Sequence, residues 1–381
     1  MAVGPQTHLS HLECGNCSAR VEPHRLQSRC GSCSGPLLAR YRLTDPAIPD
    51  LEKVLSRPPG QFRFHEVLPN AAGADTPTLG EGATPMLRAG ALGASVWVKD
   101  EAQNPTGSFK ARGMAVALAR NAELGARDFH LPSNGNAGAA AAAYAALHGV
   151  RVTVAVPANT PEALVAMARL CGAEVLRVDG TIADAAASLA GKDDGAFSLA
   201  TLGEPYRVEG KKMMGYEIFW DLGHLPDVIF YPTGGGTGLV GMAKAFNEME
   251  ELGWIGSERP RMVAVQSASC APIVRAFHAG AAHAEPWVDP EVSSAYGLRV
   301  PSAIGDRLML SALRDTRGTA VGVAENDLDE ATSRLASRAG ISGSPEGGAC
   351  LAAYEQLLAQ GWLSPHEEVV LFNTGAAANY W

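Results

Sequence analysis

Short runs of β-branched residues alternate with alanine-rich helical segments over most of this 381-residue chain, and no other feature constrains the fold as much. From residue 95 the runs SVWVKDE, FHLPS, RVTVAVP and EVLRVDG are each followed by a segment with helical periodicity. A second series repeats the pattern, from DVIFYPT at residue 227 to EEVVLFNTG at residue 367. This alternation predicts an α/β fold of two doubly wound parallel-sheet domains with a cleft between them.

The places where the pattern changes predict four segments. We expect a small cysteine knuckle over residues 1–40, a connecting arm over 41–95, a smaller α/β domain over 96–214 and a larger one over 215–381. Residues that cap or break helices precede several predicted helices: Ser108, Asn134, Thr160–Pro161 and Thr181. The first helix of the smaller domain is predicted to run from Ser108 to about Leu124.

The composition excludes several classes of protein. Apolar residues make up 46 % of the chain and charged residues 19 %, as in a globular protein rather than a disordered one. A net charge of −9 without a basic stripe argues against a nucleic-acid partner. The N-terminus does not resemble a secretory signal, and the alanine-rich run AGAAAAAYAAL is too short to cross a membrane. We therefore expect a cytoplasmic protein with no membrane partner.

Four of the seven cysteines form two knuckles, CGNC and CGSC, near the N-terminus: Cys14, Cys17, Cys30 and Cys33. Disulfides are rare in the cytosol, so this spacing indicates a zinc site closed by four thiolates. Such a site is structural, because no position stays open for catalysis. Gly15 and Gly31 are expected to give each knuckle a tight turn. The alternative is a set of four free thiols.

A glycine-rich loop, PTGGGTGLVG, follows one predicted strand and opens a helix. Its glycines at 234, 235, 236 and 238 allow backbone N–H groups to converge on an anion, and the helix dipole adds positive potential. These features predict a phosphate-binding loop. The alternative is a tight turn whose glycines are needed only for close packing.

The residues around this loop narrow down the phosphate ligand. A dinucleotide site requires an acidic residue at the end of the next strand, but RMVAVQS ends in Gln266 and Ser267. The loop also lacks the Gly-Lys-Ser/Thr ending of a nucleoside-triphosphate site. A cofactor with one phosphate monoester therefore fits better than NAD or ATP.

Lys110 stands among turn residues and small side chains in the stretch NPTGSFKARGM. In the first turn of a helix and away from water, its amine would have a lowered pKa, because burial and the helix dipole both favour the uncharged form. A free amine attacks carbonyl groups. Such a lysine, together with a site for one phosphate, is what pyridoxal phosphate requires. The alternative is a lysine whose amine extends from a helix start into solvent.

Three motifs, NPTGSFKARGM, PSNGNAG and PTGGGTGL, resemble in their order those of the fold-type-II pyridoxal-phosphate enzymes, and most closely the threonine synthases. The similarity covers nearly the whole chain. It includes the cysteine knuckle, the segment EPYRVEGKKMMGYE, the PEGGA turn and the final NTG. The resemblance implies a tryptophan synthase β-like fold whose cofactor lies in the cleft between the two α/β domains.

The same resemblance implies a role for individual residues. Lys110 would form the Schiff base with the cofactor and carry protons, and Asn136 would contact the cofactor O3′ oxygen. The pyridine nitrogen would be contacted by the hydroxyl of Thr374. The cofactor phosphate would be bound by Gly234, Gly235, Gly236, Thr237 and Gly238. The substrate phosphate would be bound by Ser133, Asn134 and Arg207.

The implied activity is the conversion of O-phospho-L-homoserine and water to L-threonine and phosphate, by γ-elimination and then β-addition. Departures from the usual pattern, such as Ala111 where familiar threonine synthases have aspartate, leave two alternatives open. These are a serine/threonine dehydratase and a β-replacement on a phosphorylated amino acid, as in cysteate synthesis. A non-catalytic ligand sensor is disfavoured because Lys110 is present. A homodimer acting on a small amino acid is the family expectation.

Overall fold

The computed structural model describes residues 7–190 and 195–380. Residues 1–6 of the predicted knuckle segment, residues 191–194 and Trp381 therefore lie outside the described residues. The strands are β1 (Leu9–Cys14), β2 (Arg20–Val21), β3 (Leu37–Tyr41), β4 (Met86–Arg88), β5 (Val96–Asp100), β6 (Asp128–Pro132), β7 (Arg151–Pro157), β8 (Glu174–Val178), β9 (Phe197–Ser198), β10 (Val228–Pro232), β11 (Arg261–Ser267), β12 (Thr319–Val323) and β13 (Val369–Asn373).

The α-helices are α1 (Leu51–Leu55), α2 (Lys110–Glu123), α3 (Asn136–His148), α4 (Glu162–Leu170), α5 (Ile182–Ala190), α6 (Arg207–Leu222), α7 (Thr237–Glu251), α8 (Pro272–His278), α9 (Asp306–Asp315), α10 (Glu325–Ala339) and α11 (Pro345–Ala359). None of the helices in the described part of the chain has both the length and the low polarity needed to span a lipid bilayer.

The described residues fall into two compact units, each built from separate stretches of the chain. Unit 1 comprises those within Met1–Ala83, Asn104–Met213 and Glu248–Trp254. Unit 2 comprises those within Thr84–Gln103, Met214–Asn247 and Ile255–Trp381. The chain passes from unit 1 to unit 2 within α6 and back again within α7.

Unit 1 contains two sheets. The first is antiparallel, has the strand order β2-β1-β3 and carries the cysteine knuckles. The second has the order β8-β7-β6-β9 and is parallel throughout. Because parallel strands point the same way, the loops after β6 and β9 leave the sheet at the same edge. This is the edge at which ligands bind in open α/β sheets.

Unit 2 contains one six-stranded sheet with the order β12-β11-β10-β13-β5-β4. All its neighbouring strands are parallel except β4, which pairs antiparallel with β5. β10 is buried at every position, as expected of a strand covered on both faces. The chain winds outward from β10 through β11 to β12 on one side, while β13 and β5 lie on the other. The topological switch point, where such sheets bind ligands, is therefore between β10 and β13.

The placement of β5 differs from the segment boundaries expected from the sequence. β5 was expected to open the smaller domain, but it pairs with β13 and belongs to unit 2. The pairing aligns Val96 with Val369 and Asp100 with Asn373, so the partners lie over 270 positions apart in the chain. Local periodicity identifies a strand but not its partner in a sheet.

The helix starts also differ in part from those expected. α2 begins at Lys110 rather than Ser108, and the residue before it, Phe109, makes no side-chain capping bond. At the start of α3 the N-cap position is Gly135 rather than Asn134, and the Ser133 Oγ accepts the N–H groups of Gly135 and Gly138 at 3.0 and 2.8 Å. Thr181 does act as expected, and its Oγ1 accepts the N–H of Ala183.

Candidate active site

Lys110 is the first residue of α2 and is half-buried in unit 1. The chain reaches it through a turn in which Thr106 and Gly107 are both left-handed, at φ 63° and 67°. The Lys110 amine lies 4.3 Å from the centroid of the neighbouring Phe109 ring. Ser108 is fully buried, and within the described residues its Oγ has no hydrogen-bond partner. The lysine therefore lies at the start of a helix and against an apolar surface, as the sequence predicts.

A second lysine amine shares this ring. The Lys211 amine lies 4.6 Å from the Phe109 centroid, and its side chain is fully buried. Burial lowers the pKa of Lys211 well below its ordinary value, and the positive charges of Lys110 and Arg207 lower it further. Glu204 acts in the opposite direction. Lys211 was not among the site residues predicted from the sequence.

Contact between α2 and α6 places the two lysines side by side. A Cβ atom added at Gly210 would lie 1.9 Å from the carbonyl oxygen of Arg112, and one added at Gly113 would lie 2.8 Å from that of Arg207. The helices thus meet backbone to backbone where these glycines lie. Only glycine permits so close an approach.

Arg207 is buried at the start of α6, in unit 1. Its Nη1 donates to the carbonyl oxygen of Leu199, immediately after β9, whereas its Nε is buried without a partner in the described part of the chain. Burial lowers the pKa of Arg207 to about 10, and Glu204 partly offsets this effect. Because β9 and β6 are parallel neighbours, Arg207 is held at the edge that also carries Ser133.

The loop after β6 carries three of the predicted site residues. Ser133 is buried and its Oγ accepts two backbone N–H groups, whereas Asn134 and Asn136 are half-buried. Gly135, between them, has φ 131°, which favours glycine. Asn136 is the first residue of α3, where helix N–H groups lack intrahelical partners. The turn Pro105–Gly107 packs against α3, so unit 1 brings this loop close to the Lys110 segment.

The glycine loop follows β10 and leads into α7, which begins at Thr237. Three of its glycines approach other parts of unit 2. A Cβ at Gly234 would lie 2.1 Å from the Gly297 oxygen, one at Gly236 2.0 Å from the Met309 sulfur, and one at Gly238 1.9 Å from the Tyr231 hydroxyl. These positions thus require glycine for packing, the alternative left open by the sequence. The loop still presents a helix N-terminus at the switch point of the sheet, where anions bind.

Thr374 is buried directly after β13, the strand beside β10. The preceding residue, Asn373, donates from Nδ2 to Asp100 at 2.7 Å and accepts the Ser344 N–H at Oδ1 at 3.0 Å. These two bonds fix the end of β13. Because neighbouring parallel strands end at the same edge, unit 2 brings Thr374 and the glycine loop together.

Glu346, the glutamate of the PEGGA turn, lies buried in the first turn of α11. Its Oε1 accepts the Gly297 N–H at 2.8 Å, and its Oε2 has no partner within the described residues. The helix cap is Ser344, which accepts from Gly347. Glu346 therefore holds the Gly297 segment, whose carbonyl packs against Gly234.

The four predicted metal ligands form one cluster in unit 1, with all four sulfur atoms within 4.8 Å of one another. The Cys14–Cys33 and Cys17–Cys33 sulfur pairs are 3.4 Å apart, and Cys17–Cys30 is 3.7 Å. A tetrahedral zinc–thiolate site, with Zn–S bonds of about 2.3 Å, requires separations of about 3.8 Å. The cluster therefore has the size and donor set of a zinc site.

Backbone N–H groups also support thiolates in this cluster. The N–H groups of Asn16 and Ser32 donate to the sulfurs of Cys14 and Cys30, both at 3.4 Å. The Ser32 N–H is the main cause that lowers the pKa of the Cys30 thiol to about 6. Gly15 and Gly31 do lie in the turns of the two knuckles, whereas the left-handed residues there are Ser18 and Ser34, each at φ 57°.

Comparison with known proteins gives a consistent result. A family profile described as "Pyridoxal-phosphate dependent enzyme" matches residues 77–375. The threonine synthase of Methanosarcina acetivorans is 33 % identical over 96 % of this chain and 91 % of its own length. That of Methanocaldococcus jannaschii is 33 % identical over 85 % of this chain and 82 % of its own. Among solved structures, maize serine racemase superposes with a TM-score of 0.65 at 21 % identity, covering 77 % of this chain and 88 % of the racemase.

Proposed function

Because this chain belongs to the pyridoxal-phosphate dependent enzymes, and within them to the threonine synthase family, we propose that it converts O-phospho-L-homoserine and water to L-threonine and phosphate. The similarity to maize serine racemase supports the fold alone. The observation that favours a phosphorylated substrate is Arg207, a buried guanidinium whose Nε has no partner among the described residues.

Unit 1 supplies the reactive amine in this proposal. The cofactor, when bound, supplies an electron sink that stabilises negative charge on the substrate carbons. Lys110 would attach the cofactor and, once released, move protons at Cα and Cβ of the substrate. It lies at the start of α2, with its amine 4.3 Å from the centroid of the Phe109 ring. Asn136 would donate to the cofactor O3′ oxygen from the start of α3.

Unit 2 supplies the groups for the rest of the cofactor. We assign the cofactor phosphate to the loop Gly234, Gly235, Gly236, Thr237 and Gly238. The start of α7 offers backbone N–H groups and a positive dipole end there. The hydroxyl of Thr374 would meet the pyridine nitrogen, and the bonds of Asn373 to Asp100 and Ser344 would keep it in place.

The substrate phosphate is assigned to Ser133, Asn134 and Arg207. Arginine suits this ligand because it stays charged and can donate two parallel bonds to phosphate oxygens. The Ser133 hydroxyl already accepts two backbone N–H groups, so its own hydrogen is available to donate to a phosphate oxygen. Asn134 is half-buried in the same loop.

A substrate panel tests this proposal. Incubation with O-phospho-L-homoserine should release phosphate and threonine in equal amounts. The dehydratase alternative predicts 2-oxobutanoate from threonine without release of phosphate. The β-replacement alternative predicts phosphate release from O-phosphoserine only when a nucleophile such as sulfite is present. Either of these outcomes, without threonine from O-phospho-L-homoserine, would contradict the proposal.

We also propose that Cys14, Cys17, Cys30 and Cys33 hold one structural zinc ion, on the strength of their sulfur spacing. Metal analysis of gently purified protein should give about one zinc per chain. We also propose a homodimer, on the family resemblance, which analytical sedimentation would test. A cytoplasmic location is proposed on the composition, and cell fractionation would test it.

A further inference from the structure

The segment that leads from β2 to the second cysteine knuckle is held to unit 1 by one residue. Of residues 22–29, Pro23 alone is buried, and most of the others are exposed. The Pro23 carbonyl oxygen accepts a hydrogen bond from Nη2 of Arg120, a buried residue of α2, at 2.9 Å. Because a charged donor makes a stronger hydrogen bond than a neutral one, this contact anchors the segment to α2.

The same carbonyl oxygen lies next to the start of α6. The Tyr206 hydroxyl also donates to it, at 3.5 Å, and the Tyr206 ring centroid lies 6.0 Å from the guanidinium carbon of Arg120. Tyr206 is fully buried and directly precedes Arg207. Pro23, Arg120 and Tyr206 therefore form a buried junction beside the arginine assigned to the substrate phosphate.

α2 holds the backbone of Arg207 through the residue that follows Arg120. Asn121 donates from Nδ2 to the buried carboxylate of Glu204 at 3.3 Å. That carboxylate accepts the backbone N–H groups of Tyr206 and Arg207 at 2.9 and 2.6 Å. Adjacent residues of α2 thus bind the knuckle segment and the turn before α6, so displacement of the segment would disturb Tyr206 and the position of Arg207.

The knuckles restrict this segment from both ends. Cys17 precedes it and Cys30 follows it, and their sulfur atoms are 3.7 Å apart. A metal ion bound to both sulfurs closes the chain between them into a loop, which leaves the segment fewer conformations. The sheet makes a second contact with α6, since the Tyr41 hydroxyl of β3 donates to Glu209 at 2.8 Å. The cysteine-bearing sheet therefore contacts the chain on both sides of Arg207.

We propose that residues 22–29 are a positioning element for Arg207, and that zinc binding at the knuckles and phosphate binding at Arg207 strengthen each other. Zinc fixes the segment and with it the contact of Pro23 with Tyr206, while a bound phosphate fixes Arg207 and so favours the same contact. Coupling between two binding sites is reciprocal, so each ligand raises the affinity for the other by the same factor. The identity of the two ligands rests on the zinc and substrate-phosphate sites proposed above.

Zinc affinity measured with and without phosphate tests this coupling without turnover. The cofactor-loaded, reduced protein competes for zinc with a chelator of known affinity, in the absence of phosphate and at saturating inorganic phosphate. We expect phosphate to lower the zinc Kd of wild type about fivefold or more. Arg207→Met lacks the phosphate site and should give equal Kd values, which controls for direct effects of phosphate on zinc. An unchanged Kd in wild type would overturn the inference, as would a protein that binds no zinc.

Two variants test the junction itself. Arg120→Met removes the donor to Pro23 and should reduce the effect of phosphate on the zinc Kd to less than about twofold, and the milder Tyr206→Phe should give a value between this and wild type. Glu123→Gln is the matched control, because it removes the charge that Arg120 meets at Nη1 at 3.0 Å but keeps the bond to Pro23, and it should behave as wild type does. A general loss of stability would change the zinc Kd equally with and without phosphate. Full coupling in both junction variants would therefore reject the role of the segment.

The substrate panel separates this inference from the proposed function. Threonine formation by a wild-type protein whose zinc affinity does not respond to phosphate would leave the function standing and reject the coupling. A zinc affinity that rises with phosphate, without threonine formation, would support the coupling and reject the proposed reaction.

Discussion

At the scale of single residues, the position of Lys110 depends on the backbone of the preceding turn. The left-handed Thr106 and Gly107 direct the chain into α2, where Phe109 rather than a capping side chain precedes the helix. Lys110→Ala should abolish covalent cofactor attachment and lower kcat more than about a thousandfold, because the proton carrier is lost as well. The absorption spectrum after borohydride reduction checks attachment. Lys211→Met is the matched control and should retain the reducible band.

Gly210 provides a second test at this scale, since its missing side chain permits the contact between α2 and α6. A methyl group there would meet the Arg112 carbonyl, and backbone cannot move aside as a flexible side chain can. We expect Gly210→Ala to lower the free energy of unfolding by about 1–3 kcal/mol, although alanine favours helices. Gly256→Ala, with nothing within 4 Å of the added Cβ, should have no such effect in the same urea titration. Equal free energies of unfolding for the two variants would show that α2 and α6 can move apart at this contact without loss of stability.

At the scale of elements, the cysteine knuckles repeat each other's geometry. The carbonyl oxygens of Cys14 and Cys30 accept the N–H groups of Ser18 and Ser34, at 3.0 and 2.9 Å. The two knuckles thus offer equivalent pairs of sulfurs to one metal. The three strands around them are short, and sheets of that size are marginal without a further constraint. We therefore expect metal binding to stabilise this sheet.

Cys33→Ser tests the contribution of the metal. Loss of one thiolate should reduce zinc to well below one equivalent per chain and leave the β1–β3 sheet susceptible to proteolysis. Cys171→Ser, a cysteine outside the cluster, should keep both zinc and protease resistance. Metal analysis and limited proteolysis are the measurements. Full zinc retention in Cys33→Ser would mean that the cluster does not bind metal through four sulfurs.

At the scale of the whole molecule, the sequence predicts what local pattern determines and misses what distant segments decide. Alternating strands and helices, the glycine loop and the knuckles were predictable because each depends on residues close in the chain. The pairing of β5 with β13 was not, since its partners are far apart in the sequence. Lys211 was missed for the same reason. Two adjacent lysines in RVEGKKMM are typical of a solvated helix face, whereas in the structure Lys211 is buried and its Cε lies close to Gly113 of α2.

In unit 1, three separate stretches of the chain contact the buried amine of Lys212. The Lys212 amine lies 2.8 Å from Glu209 and 2.9 Å from Glu248, and 4.1 Å from the Tyr41 ring centroid. The Tyr41 hydroxyl donates to Glu209 at 2.8 Å. These residues come from β3, α6 and α7, so the cluster connects the cysteine-bearing sheet to the helix that carries Arg207 and Lys211.

Lys212→Met should therefore destabilise unit 1 as a whole. It leaves two buried carboxylates without their cation, which costs about 3–5 kcal/mol of unfolding free energy. The triple variant Lys212→Met, Glu209→Gln, Glu248→Gln removes the stranded charges and should recover more than half of that loss, because a buried ion pair adds little net stability over a neutral replacement. Urea titrations of both variants measure these differences. If the single variant lost less than about 1 kcal/mol, the three stretches would have to be held together by apolar packing instead.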